Sequence, residues 1–173
     1  MQRQALARAI TDRSLVHGQF RLRSGATSTE YFDKYMFESD PRLLRAIAEA
    51  LAPLVPAGVD ALAGLELGGV PLAVMLSQVT GIPTLFVRKK AKEYGTMRFA
   101  EGGEVAGRRL LLIEDVVTSG GQVVLSTRDL RGAGATVETA LCVIDREAGG
   151  GGALAAEGVA LHALFTMSEL KAA

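Results

Sequence analysis

Glu114 and Asp115 stand side by side at the end of an apolar run, in the stretch LLLIEDVVTSGG (110–121). Two neighbouring carboxylates repel each other and resist burial. A strand that ends on them is either leaving the core through a polar turn or presenting them to a ligand. Carboxylates accept hydrogen bonds and so suit hydroxyl groups. Thr118, Ser119, Gly120 and Gly121 follow at once, between a strand and the first turn of a helix. Free N–H groups at a helix start attract anions, and glycines let a phosphate approach the main chain closely. Acids beside such a cradle can hold a phosphorylated sugar, the amides taking phosphate and the carboxylates taking hydroxyls. This turn matches neither the G-x-G-x-x-G of dinucleotide folds nor the G-x-x-x-x-G-K-[ST] of P-loops.

Three other stretches have residue types suited to the same chemistry. VRKKAKEYGT places Arg88, Lys89, Lys90 and Lys92 within five positions, enough charge to face a polyanion or to form a solvated run. GLELGGVPLA (64–73) is a glycine-rich turn into a helix. FRLRSGATSTEYFDKYMFESDP contains Arg23, Tyr31, Phe32 and Tyr35; the aromatics can stack on a flat ring or simply pack in the core. Arg146, in VIDREAGG, offers a planar fork that fits a carboxylate. His17 and His162 are too isolated for a metal pair and read as structural.

These residues need a scaffold, and the pattern supplies one. MQRQALARAITDR reads as an amphipathic helix. Asp40 caps a second helix with Pro41 at its first position, and Leu44, Ile47, Leu51, Leu54 and Val55 keep helical spacing. Short apolar runs at 59–65 and 82–89 read as strands around a helix in VPLAVMLSQVTG. The segment RRLLLIEDVV is apolar on both faces, as a central parallel strand should be. GGQVVLSTRDLRGAG is a helix, ATVETALCVIDR and VALHALFT are strands, and a short helix follows. GGGG (149–152) reads as a flexible turn between strands. The alternation predicts an α/β fold, a mostly parallel central sheet with helices on both faces. In such sheets ligands sit beyond the strands' carboxyl ends, where the strand order switches. The turn at 64–69, the basic run and the acid pair all fall there.

A chain of 173 residues suits one domain with a real core. Lysine plus arginine equals aspartate plus glutamate at 19 each, which argues against a general nucleic-acid binder. No apolar run approaches membrane-spanning length, and MQRQALARAITDR lacks the apolar stretch of a signal peptide. Cys142, the sole cysteine, reads as a small buried hydrophobe and is compatible with a reducing cytoplasm.

The run 110–122 resembles the phosphoribosyl-pyrophosphate (PRPP) signature of the type I phosphoribosyltransferases: four apolar residues, two acids, two apolar residues, then a cradle rich in Thr, Ser and Gly. The resemblance implies that Glu114, Asp115, Val116, Val117, Thr118, Ser119, Gly120, Gly121 and Gln122 receive PRPP, although Gln122 departs where a hydroxyl residue is frequent. Glu66, Leu67, Gly68 and Gly69 match the family's pyrophosphate turn, which often has a non-proline peptide in a strained form; some relatives carry lysine at the Gly68 position.

The basic run is similar to the catalytic loop of the orotate members. Arg88, Lys89 and Tyr94 would face PRPP, and Lys92, with Glu114 and Asp115, would serve catalysis. Tyr94 stands where many relatives have histidine. By the same resemblance Arg23, Tyr31, Phe32, Thr118 and Arg146 would bind orotate. Residues 1–40, with C-terminal elements, would form a small hood over a single domain spanning 1–173.

The resemblance extends from about residue 15 to 147. It further implies Mg²⁺ held mainly by PRPP and water near Asp115, with no direct protein ligand, and a homodimer whose loops reach the partner's site. It implies no nucleic-acid or membrane partner, and a cytoplasmic location. Two rivals share the signature: a purine phosphoribosyltransferase, against which Arg146 and the RKKAK loop speak, and a non-catalytic PRPP-sensing regulator of RNA or DNA, which the neutral charge disfavours.

Overall fold

The chain opens with helix α1 (Arg3–Ser14), which runs straight into a hairpin of β1 (Leu15–Arg21) and β2 (Thr27–Phe32). These two antiparallel strands form a sheet of their own. A short helix α2 (Lys34–Glu38) follows, its start capped by Asp33, whose side chain accepts from the Tyr35 N–H. The computed structural model describes residues 1–21, 25–90 and 99–173. Arg23, Lys92 and Tyr94 therefore lie outside the described residues.

Helix α3 (Pro41–Leu51) begins as its sequence predicts. The Asp40 carboxylate accepts from the N–H groups of Arg42 and Leu43 at 3.0 and 3.1 Å, and Pro41 needs no N–H partner there. A 3₁₀ turn at Ala52–Leu54 leads to β3 (Ala61–Leu65), α4 (Gly69–Thr80) and β4 (Thr84–Val87). Beyond it lie β5 (Ala100–Glu101), β6 (Arg109–Val117), α5 (Gly121–Gly132), β7 (Thr136–Asp145), α6 (Gly150–Ala156), β8 (Ala160–Thr166) and α7 (Met167–Ala172).

The six-stranded sheet has the order β5-β4-β3-β6-β7-β8. Every pair is parallel except β4 with the two-residue β5. From β3 the chain builds outward through β4, then crosses back to β6 and builds outward the other way. The reversal lies between β3 and β6, so the ends of these two strands flank a crevice.

Alternation along β6 divides the core. Leu111 and Ile113 join α1, α3 and α4 on one face, whereas Leu110 and Leu112 join α5 and α6 on the other. Cys142 is fully buried on the second side, and burial pushes its thiol up, which leaves it inert as a nucleophile.

Two features depart from the sequence reading. The β1–β2 hairpin was not legible as a pair of strands. The four glycines at 149–152 are the cap and first turn of α6 rather than a flexible turn. A Cβ on Gly150 would stand 2.6 Å from the Thr118 carbonyl oxygen and against the Val117 side chain. Close packing against the loop after β6 overrides glycine's poor helix propensity. α7 closes back over α1: Thr11 donates its hydroxyl to the Leu170 carbonyl at 3.1 Å, Arg8 Nε donates to the Ala173 carbonyl at 2.8 Å, and Arg3 pairs with Glu169. Among the described residues no helix is long and apolar enough to cross a membrane.

Candidate active site

The crevice between β3 and β6 is where the predicted phosphate-binding segments meet. After β3, the Glu66–Leu67 peptide bond is cis, and the turn is tied to β4 by the Glu66 N–H on the Val87 carbonyl and the Lys89 N–H on Glu66 Oε2. Gly69 lies so close to β6 that a Cβ would be 2.2 Å from the Ile113 carbonyl oxygen. That neighbour is backbone and has little room to yield. Gly69→Ala should therefore destabilise the protein by about 3 kcal/mol, at the upper end of overpacking costs. Thermal melts should record a loss of roughly 6–12 °C; a drop below ~2 °C would show that the turn can move away.

After β6, Gly120 takes a left-handed φ of 76° and caps α5. Thr118 and Ser119 are exposed at the crevice mouth, while Val117 is buried. Main-chain donors in this loop can meet an anion at the helix start. The Gln122 side chain is turned along the helix, donating to the Ser126 hydroxyl at 3.4 Å. Val117 is engaged through its carbonyl, which accepts from the Arg146 N–H at 2.9 Å.

The acid pair is buried rather than bathed in solvent. Asp115 is 1% exposed and Glu114 9%. Asp115 Oδ1 accepts from the Val116 N–H, and its Oδ2 lies 2.6 Å from the Lys34 ammonium. The buried carboxyl of Glu38, on the same helix as Lys34, also lies close to Asp115, the two flanking the space beside Gly68. Burial alone would push Asp115 up, but the bonds from Glu38, Glu114 and Lys34 outweigh it and hold the carboxyl below its usual range. Burial, then the Asp115 charge, raises Glu114 well above the carboxylate range. Lys34 stays protonated: burial works against its charge, and Asp115 more than restores it. The repulsion between adjacent acids is thus eased by shifting Glu114 toward its neutral form and pairing Asp115 with Lys34.

Burial, and then the contact with Asp115, pushes Glu38 up to about 9 from 4.5. The native protein keeps a proton here that the unfolded chain releases above 4.5. The associated stability is complete below pH 4.5 and disappears as the pH rises through about 9. Melting temperature should decline across that window, and Glu38→Gln should flatten the decline. An unaltered profile in the variant would assign the proton elsewhere.

The remaining candidates gather at the hairpin. Tyr31, Phe32 and Arg146 line one cavity of about 430 Å³, together with Ser28, Glu30 and Lys171. Tyr31 is about half exposed and stacks at 5.5 Å on Phe20, so it is no core residue; Phe32 packs partly against Phe37. Thr118 does not line this cavity. Arg88 points to Glu101, Nε to Oε1 3.7 Å, while Lys89 and Lys90 are exposed. Lys34 and Glu38 escaped the sequence reading, and their spacing, one helical turn apart, was the available signal.

The strand order, the acid pair at the switch point and the glycine cradle define a phosphoribosyltransferase domain. A family model described as phosphoribosyl transferase domain matches residues 36–153. The orotate phosphoribosyltransferase of Nocardioides sp. is 57% identical over 156 residues, covering 90% of this chain and 87% of that one. That of Halobacterium salinarum is 47% identical, covering 88% and 87%. A crystal structure of the Mycobacterium tuberculosis orotate phosphoribosyltransferase superposes with a TM-score of 0.89 at 30% identity, covering 97% of this chain and 98% of that one. The chain belongs to the orotate phosphoribosyltransferase family.

Proposed function

We propose that this protein transfers the phosphoribosyl group of PRPP to N1 of orotate, giving orotidine 5′-monophosphate and pyrophosphate in de novo pyrimidine synthesis. The observation that carries the choice of base is the cavity in which Arg146 stands with Tyr31 and Phe32. A guanidinium fork suits orotate's carboxylate, which purine bases lack, and aromatic faces suit a flat pyrimidine. Arg146, just past β7, is also tied through its N–H to Val117 at the end of β6, so base and sugar sites lie at neighbouring strand ends. Arg23 would complete the base site from the hairpin, and Thr118 would reach it from the cradle.

The C1′–oxygen bond to pyrophosphate breaks with its electron pair leaving on pyrophosphate. N1 of orotate, losing its proton, forms the new bond on the opposite face of a transition state with oxocarbenium character. No protein nucleophile is required. Catalysis then rests on positioning and on stabilising the leaving group. The amides and hydroxyls of residues 118–121 hold the 5′-phosphate, with Gln122 beside them. The turn of Glu66, Leu67, Gly68 and Gly69 faces pyrophosphate, with Arg88, Lys89, Lys92 and Tyr94 supplying the basic side. Glu114 and Asp115 orient the ribose hydroxyls.

The site near Asp115 would hold Mg²⁺ only indirectly, mainly through PRPP and water, and the ion would supply charge neutralisation for pyrophosphate. The donor set suits such an indirect arrangement: Asp115 Oδ2 is already paired with Lys34 at 2.6 Å, so the carboxylate can accept from a metal's water while the ion rides on the substrate. A homodimer with shared sites, a cytoplasmic location, and a hood of residues 1–40 with α7 over a single domain belong to the same proposal.

The test is purified protein with PRPP and Mg²⁺, following loss of orotate's ultraviolet absorbance. Rapid Mg²⁺-dependent loss with release of pyrophosphate is expected. Turnover of hypoxanthine or adenine instead would overturn the assignment of Arg146. PRPP binding without turnover of any base would point to a regulator.

A further inference from the structure

Helix α2 follows β2 directly, so the aromatic residues of the base cavity and the residues that grip the acid pair lie within eight positions of one another. Lys34 and Glu38 are four apart and share a helix face. That face looks onto Asp115. The Lys34 ammonium is 2.6 Å from Oδ2, and the buried Glu38 carboxyl lies close to the same carboxylate. The pyrophosphate turn adjoins both: a Cβ on Gly68 would fall 1.6 Å from Asp115 Oδ2 and 2.7 Å from Glu38 Oε1. Gly68 therefore leaves the space in which this cluster fits. Oδ1 is taken by the Val116 N–H, so the orientation of Asp115 is fixed from the strand on one side and from α2 on the other.

We propose that Lys34 and Glu38 are positioning residues for phosphoribosyl transfer: from α2 they hold Asp115 in the orientation that receives ribose, and they join the base-binding hairpin to the sugar-binding strand end. Lys34 also sets a cation beside the turn that faces pyrophosphate, with its side chain 33% exposed toward the crevice. An ammonium has three donors, so it can keep Asp115 while sharing its charge with an incoming anion. Burial beside Asp115 pushes Glu38 toward its neutral form, in which it can donate to Asp115 where a second carboxylate would repel it. The inference rests on the phosphoribosyltransferase reading of the site.

A double-mutant cycle tests it, using Lys34→Met, Asp115→Asn and the pair, with kcat/KM for PRPP and calorimetric PRPP binding in the absence of orotate. Lys34→Met should lose at least about tenfold in both, and the pair should lose little more than Asp115→Asn alone, because the two act as a unit. The KM for orotate should move less than about twofold, and Lys34→Arg should recover most of the loss. Additive losses, or a Lys34→Met variant within about twofold of the parent, would overturn the proposal for Lys34. Glu38→Gln keeps a neutral donor and should recover most of what Glu38→Ala loses; equal losses would remove Glu38. The Glu38→Ala and Asp115→Asn cycle carries the same test if Lys34→Met does not fold. Absence of orotate turnover in the parent would sink the functional reading, while the PRPP-binding cycle would still decide this one.

Discussion

Replacing Arg146 by alanine is expected to raise the KM for orotate by about 10- to 100-fold and to leave PRPP affinity within about twofold. A hydrogen bond to a charged group contributes about 1.5–3 kcal/mol, which at about 1.4 kcal/mol per factor of ten amounts to about one to two powers of ten. The side chain is exposed at the cavity beside Tyr31 and Phe32, and the local fold does not depend on it. What ties residue 146 to the sheet is its main-chain N–H on the Val117 carbonyl, which alanine retains. Arg146→Lys should recover only part of the loss, since an ammonium keeps the charge without the fork. Steady-state kinetics with each substrate varied in turn measures the effect. Comparable losses for both substrates would mean that Arg146 serves the loop leading to α6 rather than the base.

Lys92→Ala should act on the other half of the reaction, lowering kcat by about 10²- to 10³-fold, the range for removing one charge-stabilising group. PRPP binding should weaken far less. Lys92 lies outside the described residues, and its assignment comes from the resemblance of the RKKAK run to the catalytic loop of the orotate members. The structure sharpens the contrast with its neighbours: Arg88 is partnered by Glu101, whereas Lys89 and Lys90 are exposed. Single-turnover rates set beside calorimetric PRPP affinity separate the two quantities. An unchanged kcat would take Lys92 out of the chemistry.

The parts of the fold that are written locally were legible. Asp40 and Pro41 announce α3, and β6 is apolar on both faces because strands pair with it on either side. The cradle was legible for the same reason, since acids, hydroxyls and glycines follow one another in a single run. The environment of the acids was not. Asp115 meets Lys34 and Glu38 across the boundary between α2 and the sheet, a contact between segments remote in sequence whose one local trace is the helical-turn spacing of the two residues. Nothing else in DKYMFESD marks them until the helix turns its Lys and Glu onto β6. Gly150 misled in the opposite sense: its glycines suggested a turn, whereas the crowding of Val117 and Thr118 against α6 requires the missing side chain.

The base cavity is walled by Ser28, Glu30, Tyr31 and Phe32 near one end of the chain and by Arg146 and Lys171 toward the other, and Thr11 reaches Leu170 across 159 positions to close it. On the ribosome, where residues emerge at about 5–20 per second, these walls appear at opposite ends of synthesis. The residues of the turn after β3, the acid pair and the cradle have all emerged before Arg146 and Lys171. On the proposed reading, a nascent chain therefore has its sugar-phosphate residues before the last walls of the base pocket, so that selection among bases waits for the later segments.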